Sequence, residues 1–157
     1  MVERKMDPVT FEILSHKLWQ ITDEMGLTLR RVSGSLVAFG ARDYAMVLCN
    51  AKGDTIMCGC GVTIHEPLVG LGVKHILQAY GEDPGIYEGD VFFINDTQIC
   101  AAHMPDGFVI RPIHHTGELV GWAGTMIHLA DIGGIPLPLL HDLISELLLH
   151  LHPATLR

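Results

Sequence analysis

Hydrophobic residues recur at steps of three and four near the start of the chain: Phe11, Leu14, Leu18, Ile21, Met25 and, after a wider gap, Val32. That spacing lines them up as one stripe on an α-helix. Asp7-Pro8 supplies the start, with the carboxylate capping free N–H groups and the proline sitting where its missing N–H costs nothing. Ser33-Gly34 supplies the stop. A helix of about 25 residues with a single apolar face either spans a large sheet or packs on another subunit.

Beyond Gly34 the period shortens. Tyr44–Cys49 and Thr55–Cys58 read as two strands joined through Asn50-Ala51-Lys52-Gly53-Asp54, whose glycine and short polar residues suit a tight turn. A second helix is expected from Glu66-Pro67 to Tyr80 with Gly81 as its stop, and Gly70 and Gly72 allow close approach of its backbone to a neighbour. His65, just before it, reads either as a cap or as a site residue. After a turn-rich connector, Val91–Ile94 is a short apolar strand ending in Asn95-Asp96. Phe108–Ile113 and Glu118–His128 are two further strands linked by His114-His115-Thr116-Gly117. The intervening stretch, Thr97 to Pro105, is too long for a hairpin and falls where function tends to sit. From Ile135 the character changes again: Pro136 and Pro138 precede a Leu-rich helix expected over His141–His152, whose three histidines, His141, His150 and His152, we do not read as ligands. The pattern therefore divides the chain into a region 1–134 and a divergent C-terminal stretch 135–157.

Composition narrows the function classes. Of 157 residues, 48% are hydrophobic and only 18% charged, and the mean hydropathy is +0.32. Some apolar surface is therefore expected to face a partner. A formal charge of -8 argues against nucleic-acid binding, which needs clustered Lys and Arg. No apolar run reaches the length of a membrane span. Cys49, Cys58, Cys60 and Cys100 show no disulfide framework spacing and no signal peptide precedes them, which reads as a reducing, cytoplasmic setting. Cys58-x-Cys60 lacks a second pair and is read as buried thiols in a strand rather than a metal site.

The chemistry concentrates between residues 90 and 134. Two His-x-x-Asp patterns, His103 with Asp106 and His128 with Asp131, each close an apolar run. Neutral nitrogen and anionic oxygen together suit zinc, manganese or iron. A metal-assisted active site on a mixed α/β scaffold is the expectation, with Asp96, Asp106 and the His128–Asp131 segment delivered by neighbouring strand ends. The alternative is that these histidines merely satisfy loop backbone, that Asp131 closes a plain turn and that Asp43 is a cap. Neither GxxxxGK[ST] nor GxGxxG occurs, so ATP, if used, must be bound by a partner.

Several segments in order, MDPVTFEILSHKLWQITDEMGLTLRRVSGS, ARDYA, GDVFFIND, HMPD and GELVGWAGTMIHLADIGG, resemble the N-terminal part of the hydantoinase B/5-oxoprolinase family. That family includes N-methylhydantoinase subunits and the alpha-type subunits of acetone and acetophenone carboxylases. The resemblance implies an α+β fold with the long N-terminal helix packed on a mixed, largely antiparallel sheet. It also implies pairing with a hydantoinase A-type ATP-binding subunit in a hetero-oligomer, and a small-molecule carbonyl or lactam substrate activated through phosphorylation. His103, Asp106 and His128 are implied as the ligands of a divalent metal, zinc, manganese or iron. Asp43, Asp96 and Asp131 are implied as catalytic candidates, with Asp90 as a further carboxylate. Two departures stand out: Thr97–Ala102 replaces the family's Pro-Tyr and Gly-Gly, pointing toward the carboxylase branch, and Leu129 replaces a second histidine. The resemblance leads us to expect a truncated part of a larger family domain. The readings to be weighed are an amidohydrolase subunit acting on a cyclic amide, an acetone/acetophenone-type carboxylase subunit, and a non-catalytic assembly module.

Overall fold

The computed structural model describes residues 6–59 and 61–133. Two long helices, α1 (Pro8–Val32) and α2 (Glu66–Tyr80), pack against five strands: β1 (Tyr44–Asn50), β2 (Thr55–Cys58), β3 (Phe92–Ile94), β4 (Asp106–His115) and β5 (Glu118–His128). The sheet order is β2-β1-β5-β4-β3, and every neighbouring pair is antiparallel. The α+β architecture is as expected, with the sheet uniformly antiparallel rather than mixed. The Leu-rich stretch, its three histidines and Cys60 lie outside the described residues.

β1 explains the layering. Six consecutive residues, Tyr44 to Cys49, are buried, as a strand covered on both faces requires. Ala45, Val47 and Cys49 join Val69, Val73 and Ile76 of α2, together with Phe108, Ile110, Trp122 and Met126, in the main core. Tyr44, Met46 and Ile127 face the other way, against Met25 and Leu29 of α1. Fully burying a side chain the size of Phe108 or Trp122 is worth roughly 1.5–3 kcal/mol or more. α2 approaches closely because of its glycines, as expected: a Cβ on Gly70 would lie 2.8 Å from the Gly53 carbonyl oxygen, and one on Gly72 would lie 2.7 Å from Ile110 Cδ1.

α1 starts where the sequence says it should. Asp7 Oδ1 accepts hydrogen bonds from the N–H groups of Val9 and Thr10 at 3.1 and 3.0 Å, and hydrogen bonding by Thr10 holds this carboxyl below its ordinary value. Its buried side differs from its apolar stripe. Phe11, Leu14, Ile21 and Val32 are exposed, Leu18 and Met25 are half-buried, and the fully buried positions are Thr22 and Gly26. At roughly 100° per residue the contact line is turned by about a quarter circle from the stripe. Small residues at the contact let the helix backbone lie close to the sheet: a Cβ on Gly59, after β2, would lie 2.8 Å from Thr22. Phe11, Leu14, Ile21 and Val32 of the stripe are left facing outward.

The β4–β5 connection is tighter than expected. His114 and His115 pair within the ladder with Leu119 and Glu118, leaving Thr116-Gly117 as the turn. Their φ values of 51° and 83° match the doubly left-handed two-residue turn that favours hairpins.

Candidate metal centre

Three adjacent strand ends meet at one end of the sheet's three central strands. Asp43 precedes β1, His128 ends β5 and Asp106 begins β4, and these three strands are neighbours in the order β1-β5-β4. Asp106 and His128 are directly opposed in the β4–β5 ladder. His128 N donates to the Asp43 carbonyl at 3.0 Å, continuing the β1–β5 ladder by one step. Backbone pairing between residues distant in sequence therefore fixes the relative positions of the three side chains.

His103 arrives from the segment before β4. The Asp106 N–H donates to the His103 carbonyl at 2.9 Å, while the His103 N–H donates to Asp106 Oδ2 at 3.2 Å. This reciprocal turn closes His103-Met104-Pro105-Asp106 and brings His103 Nδ1 to 3.3 Å from Asp106 Oδ1. His128 Nδ1 lies 3.4 Å from the same oxygen. The two imidazole rings stand edge to face with centroids 4.9 Å apart. One ligand-capable atom from each of His103, Asp106 and His128 lies within 4.8 Å of the others.

Asp106 is fully buried and His128 largely so, whereas the His103 side chain is 54% exposed, which opens the cluster to solvent on that side. Asp106 Oδ1 and His128 Nδ1 are, with Asp43 Oδ1, His65 Nδ1 and two atoms elsewhere, the buried side-chain polar atoms without a hydrogen-bond partner among the described residues. Such orphans are uncommon because each costs the desolvation of the group. Two imidazole nitrogens and a carboxylate oxygen converging on one point, with two of the atoms orphaned, fit a divalent cation.

The remaining candidates separate. Asp43 joins the cluster, with Oδ2 3.7 Å from His128 Nδ1. Beyond it, His65 Nε2 lies 3.5 Å from Asp43 Oδ1. His65 is the residue before α2, and its side chain makes no capping hydrogen bond, so of its two sequence readings the structure leaves membership of the cluster. Its signal in the sequence was its place at a helix start, where Ser, Thr, Asp or Asn would cap better. Asp96 is elsewhere: exposed, its Oδ1 accepts from the Gln98 N–H at 2.8 Å and its carbonyl from Ile99, Cys100 and Ala101. Asp131 Oδ1 accepts from the Gly133 N–H at 2.7 Å in an exposed turn. Asp90 Oδ2 likewise accepts from the Tyr87 N–H. Cys58, half-buried, has its thiol pushed up to about 12 by burial and by neighbouring Glu66, which disfavours the thiolate a metal would need.

An apolar groove of about 450 Å³ is lined by Ile21, Met25, Leu29, Val32 and Thr125 with Glu24 and Thr28, and it contains no member of the cluster. No described helix is long and apolar enough to cross a membrane.

Comparison with known proteins places these features in a lineage. The chain is 32% identical over 132 residues to the acetophenone carboxylase delta subunit of Aromatoleum aromaticum, covering 83% of this chain and 19% of that protein. A nucleotide-free structure of acetone carboxylase, an enzyme of ATP-dependent acetone carboxylation, superposes with a TM-score of 0.78 at 28% identity, over 84% of this chain and 17% of that one. The ATP-dependent caprolactamase from Pseudomonas jessenii does so with a TM-score of 0.76 at 33% identity, over 86% and 23%. The chain thus spans about a fifth of the length of these relatives. Residues 7–140 match the model of one family, and the chain belongs to the hydantoinase B/oxoprolinase family.

Proposed function

We propose that this chain is a metal-dependent subunit of an ATP-dependent hydantoinase/5-oxoprolinase-type amidohydrolase that opens a cyclic amide. The observation behind it is the convergence of His103, Asp106 and His128 on one point, with Asp106 Oδ1 buried and unpartnered. These three residues would hold the ion. A divalent zinc, manganese or iron bound there supplies polarisation of a substrate carbonyl or a bound water acidified to near neutrality.

The chain's own residues do the rest. The His103 N–H holds the Asp106 carboxylate in place, and the β4–β5 register holds His128 opposite it. The open side next to His103 is where a substrate carbonyl approaches. Of the three catalytic candidates, Asp43 is the one whose carboxylate meets the cluster, and it steadies the His128 imidazole from the far side. Asp96 and Asp131 act on local turns, so we assign them to holding loops rather than to the reaction. ATP is assigned to a hydantoinase A-type partner, since this sequence has no Gly-rich phosphate loop.

A carboxylase-type subunit is the second reading, favoured by the likeness to the acetophenone and acetone carboxylases. Co-purification with an ATP-binding partner separates the two. The first reading expects ATP-dependent lactam opening that is lost in His128→Ala, and the second expects bicarbonate-dependent ketone turnover with the same loss. Turnover of either kind that survives His128→Ala at the wild-type rate would sink both.

A further inference from the structure

Only one member of the cluster touches none of the three proposed ligands. His65 is 6% exposed, ends the short 3-10 turn Thr63–His65 and serves no cap. A buried imidazole with a polar neighbour on one side only is an expensive thing to keep. Its Nε2 faces Asp43 Oδ1 at 3.5 Å, an ion-pair approach short of a closed hydrogen bond, since that oxygen and His65 Nδ1 are both buried without a hydrogen-bond partner. The second oxygen of that carboxylate faces His128 Nδ1 at 3.7 Å. The two oxygens of Asp43 are thereby divided between two histidines, one inside the proposed ligand set and one outside it. Asp43 also reaches the site on a constrained backbone: Arg42 before it adopts φ 56°, and its carbonyl is tied to the His128 N–H. With the main chain fixed, the free variable is rotation of the carboxylate, and His65 is the group placed to set it.

We propose that His65 is a positioning residue for the metal centre, holding the Asp43 carboxylate by its Nε2–H so that Oδ2 stays on His128; this rests on the metal-site reading above. An outer partner of this kind orients an inner ligand without touching the ion, and its removal commonly costs 10–100-fold in metal affinity. A packing role predicts otherwise: a residue kept only to fill the space before α2 would affect stability and leave affinity alone.

The test is competitive Zn²⁺ titration of the full chain against a chromophoric chelator, beside thermal unfolding in EDTA. Asp106→Ala is the control for the site itself; if it binds Zn²⁺ as wild type does, the metal-site reading has failed and His65 falls with it. If Asp106→Ala loses binding, His65→Leu is expected to weaken Zn²⁺ by about 10–100-fold, and His65→Gln, whose amide nitrogen reaches the place of Nε2, to recover most of it. Asp43→Asn and the double variant with His65→Leu are expected to bind alike, because one acts through the other. Wild-type affinity in His65→Leu overturns the proposal. Should His65→Leu fail to fold, the comparison of His65→Gln with His65→Asn decides, since asparagine places its amide near Nδ1 instead: equal affinity in those two overturns it as well.

Discussion

Replacing Asp106 by asparagine is expected to stabilise the metal-free chain and destabilise it relative to wild type once metal is added. Asp106 is fully buried; one oxygen is satisfied by the His103 N–H and the other has no partner. Asparagine keeps the shape and the accepted hydrogen bond, and it offers an amide N–H₂ to the two imidazole nitrogens at 3.3 and 3.4 Å. An unsatisfied buried polar atom costs about 1–3 kcal/mol, so in EDTA at pH 8 the variant should gain stability of that order, or a few degrees in Tm for a chain of this size. Metal stabilises only the form that binds it, by roughly 4.1 kcal/mol at a thousandfold excess over Kd. With saturating Zn²⁺ the order should therefore reverse. Differential scanning fluorimetry of both proteins, with EDTA and with metal, tests this. Asp106→Asn less stable than wild type in EDTA, or shifted equally by metal, would refute the reasoning.

Three further outcomes follow from the packing and the thiols. Gly124→Ala puts a Cβ into Val69 Cγ1 and should cost about 1–3 kcal/mol by overpacking; denaturant midpoints for the variant and for Gly124→Ala with Val69→Ala should show recovery in the double. Phe108→Ala, at a fully buried core position, should cost about 3–5 kcal/mol, and a loss under 1 kcal/mol by urea titration would contradict the assignment of β4 to the core. Because burial and Glu66 raise the Cys58 thiol to about 12, the stability it contributes is present below the ordinary thiol value and lost as pH rises toward 12. Urea midpoints should therefore fall between pH 8 and 10.5 and fall less in Cys58→Ala.

What the sequence shows and hides follows the range of the interactions involved. The start of α1 was legible because a cap acts over three residues, as Asp7 does on Val9 and Thr10. Its contact face was not, because periodicity reports that an apolar stripe exists without saying what covers it; the sheet instead receives Thr22 and Gly26. The start of β4 was set two residues late, since Asp106 and Gly107 lack the apolar side chains that mark a strand, yet both pair with β5. The turn holding His103 and Asp106 is local and was readable as a motif. The pairing of Asp106 with His128 follows from the β4–β5 hairpin and was within reach of the sequence, whereas that of Asp43 with His128 depends on ladder register between β1 and β5 and that of Asp43 with His65 on the packing of the turn before α2, which no local pattern encodes. Asp96 and Asp131 stood in suggestive motifs, but both make short-range hydrogen bonds that turn their loops.

Metal content tests the central claim most directly. The full chain, purified without chelator and analysed by inductively coupled plasma mass spectrometry, should retain roughly one equivalent of zinc, manganese or iron, and His103→Ala, Asp106→Ala and His128→Ala should each fall to background while remaining folded. Folded variants that keep full metal occupancy would contradict it.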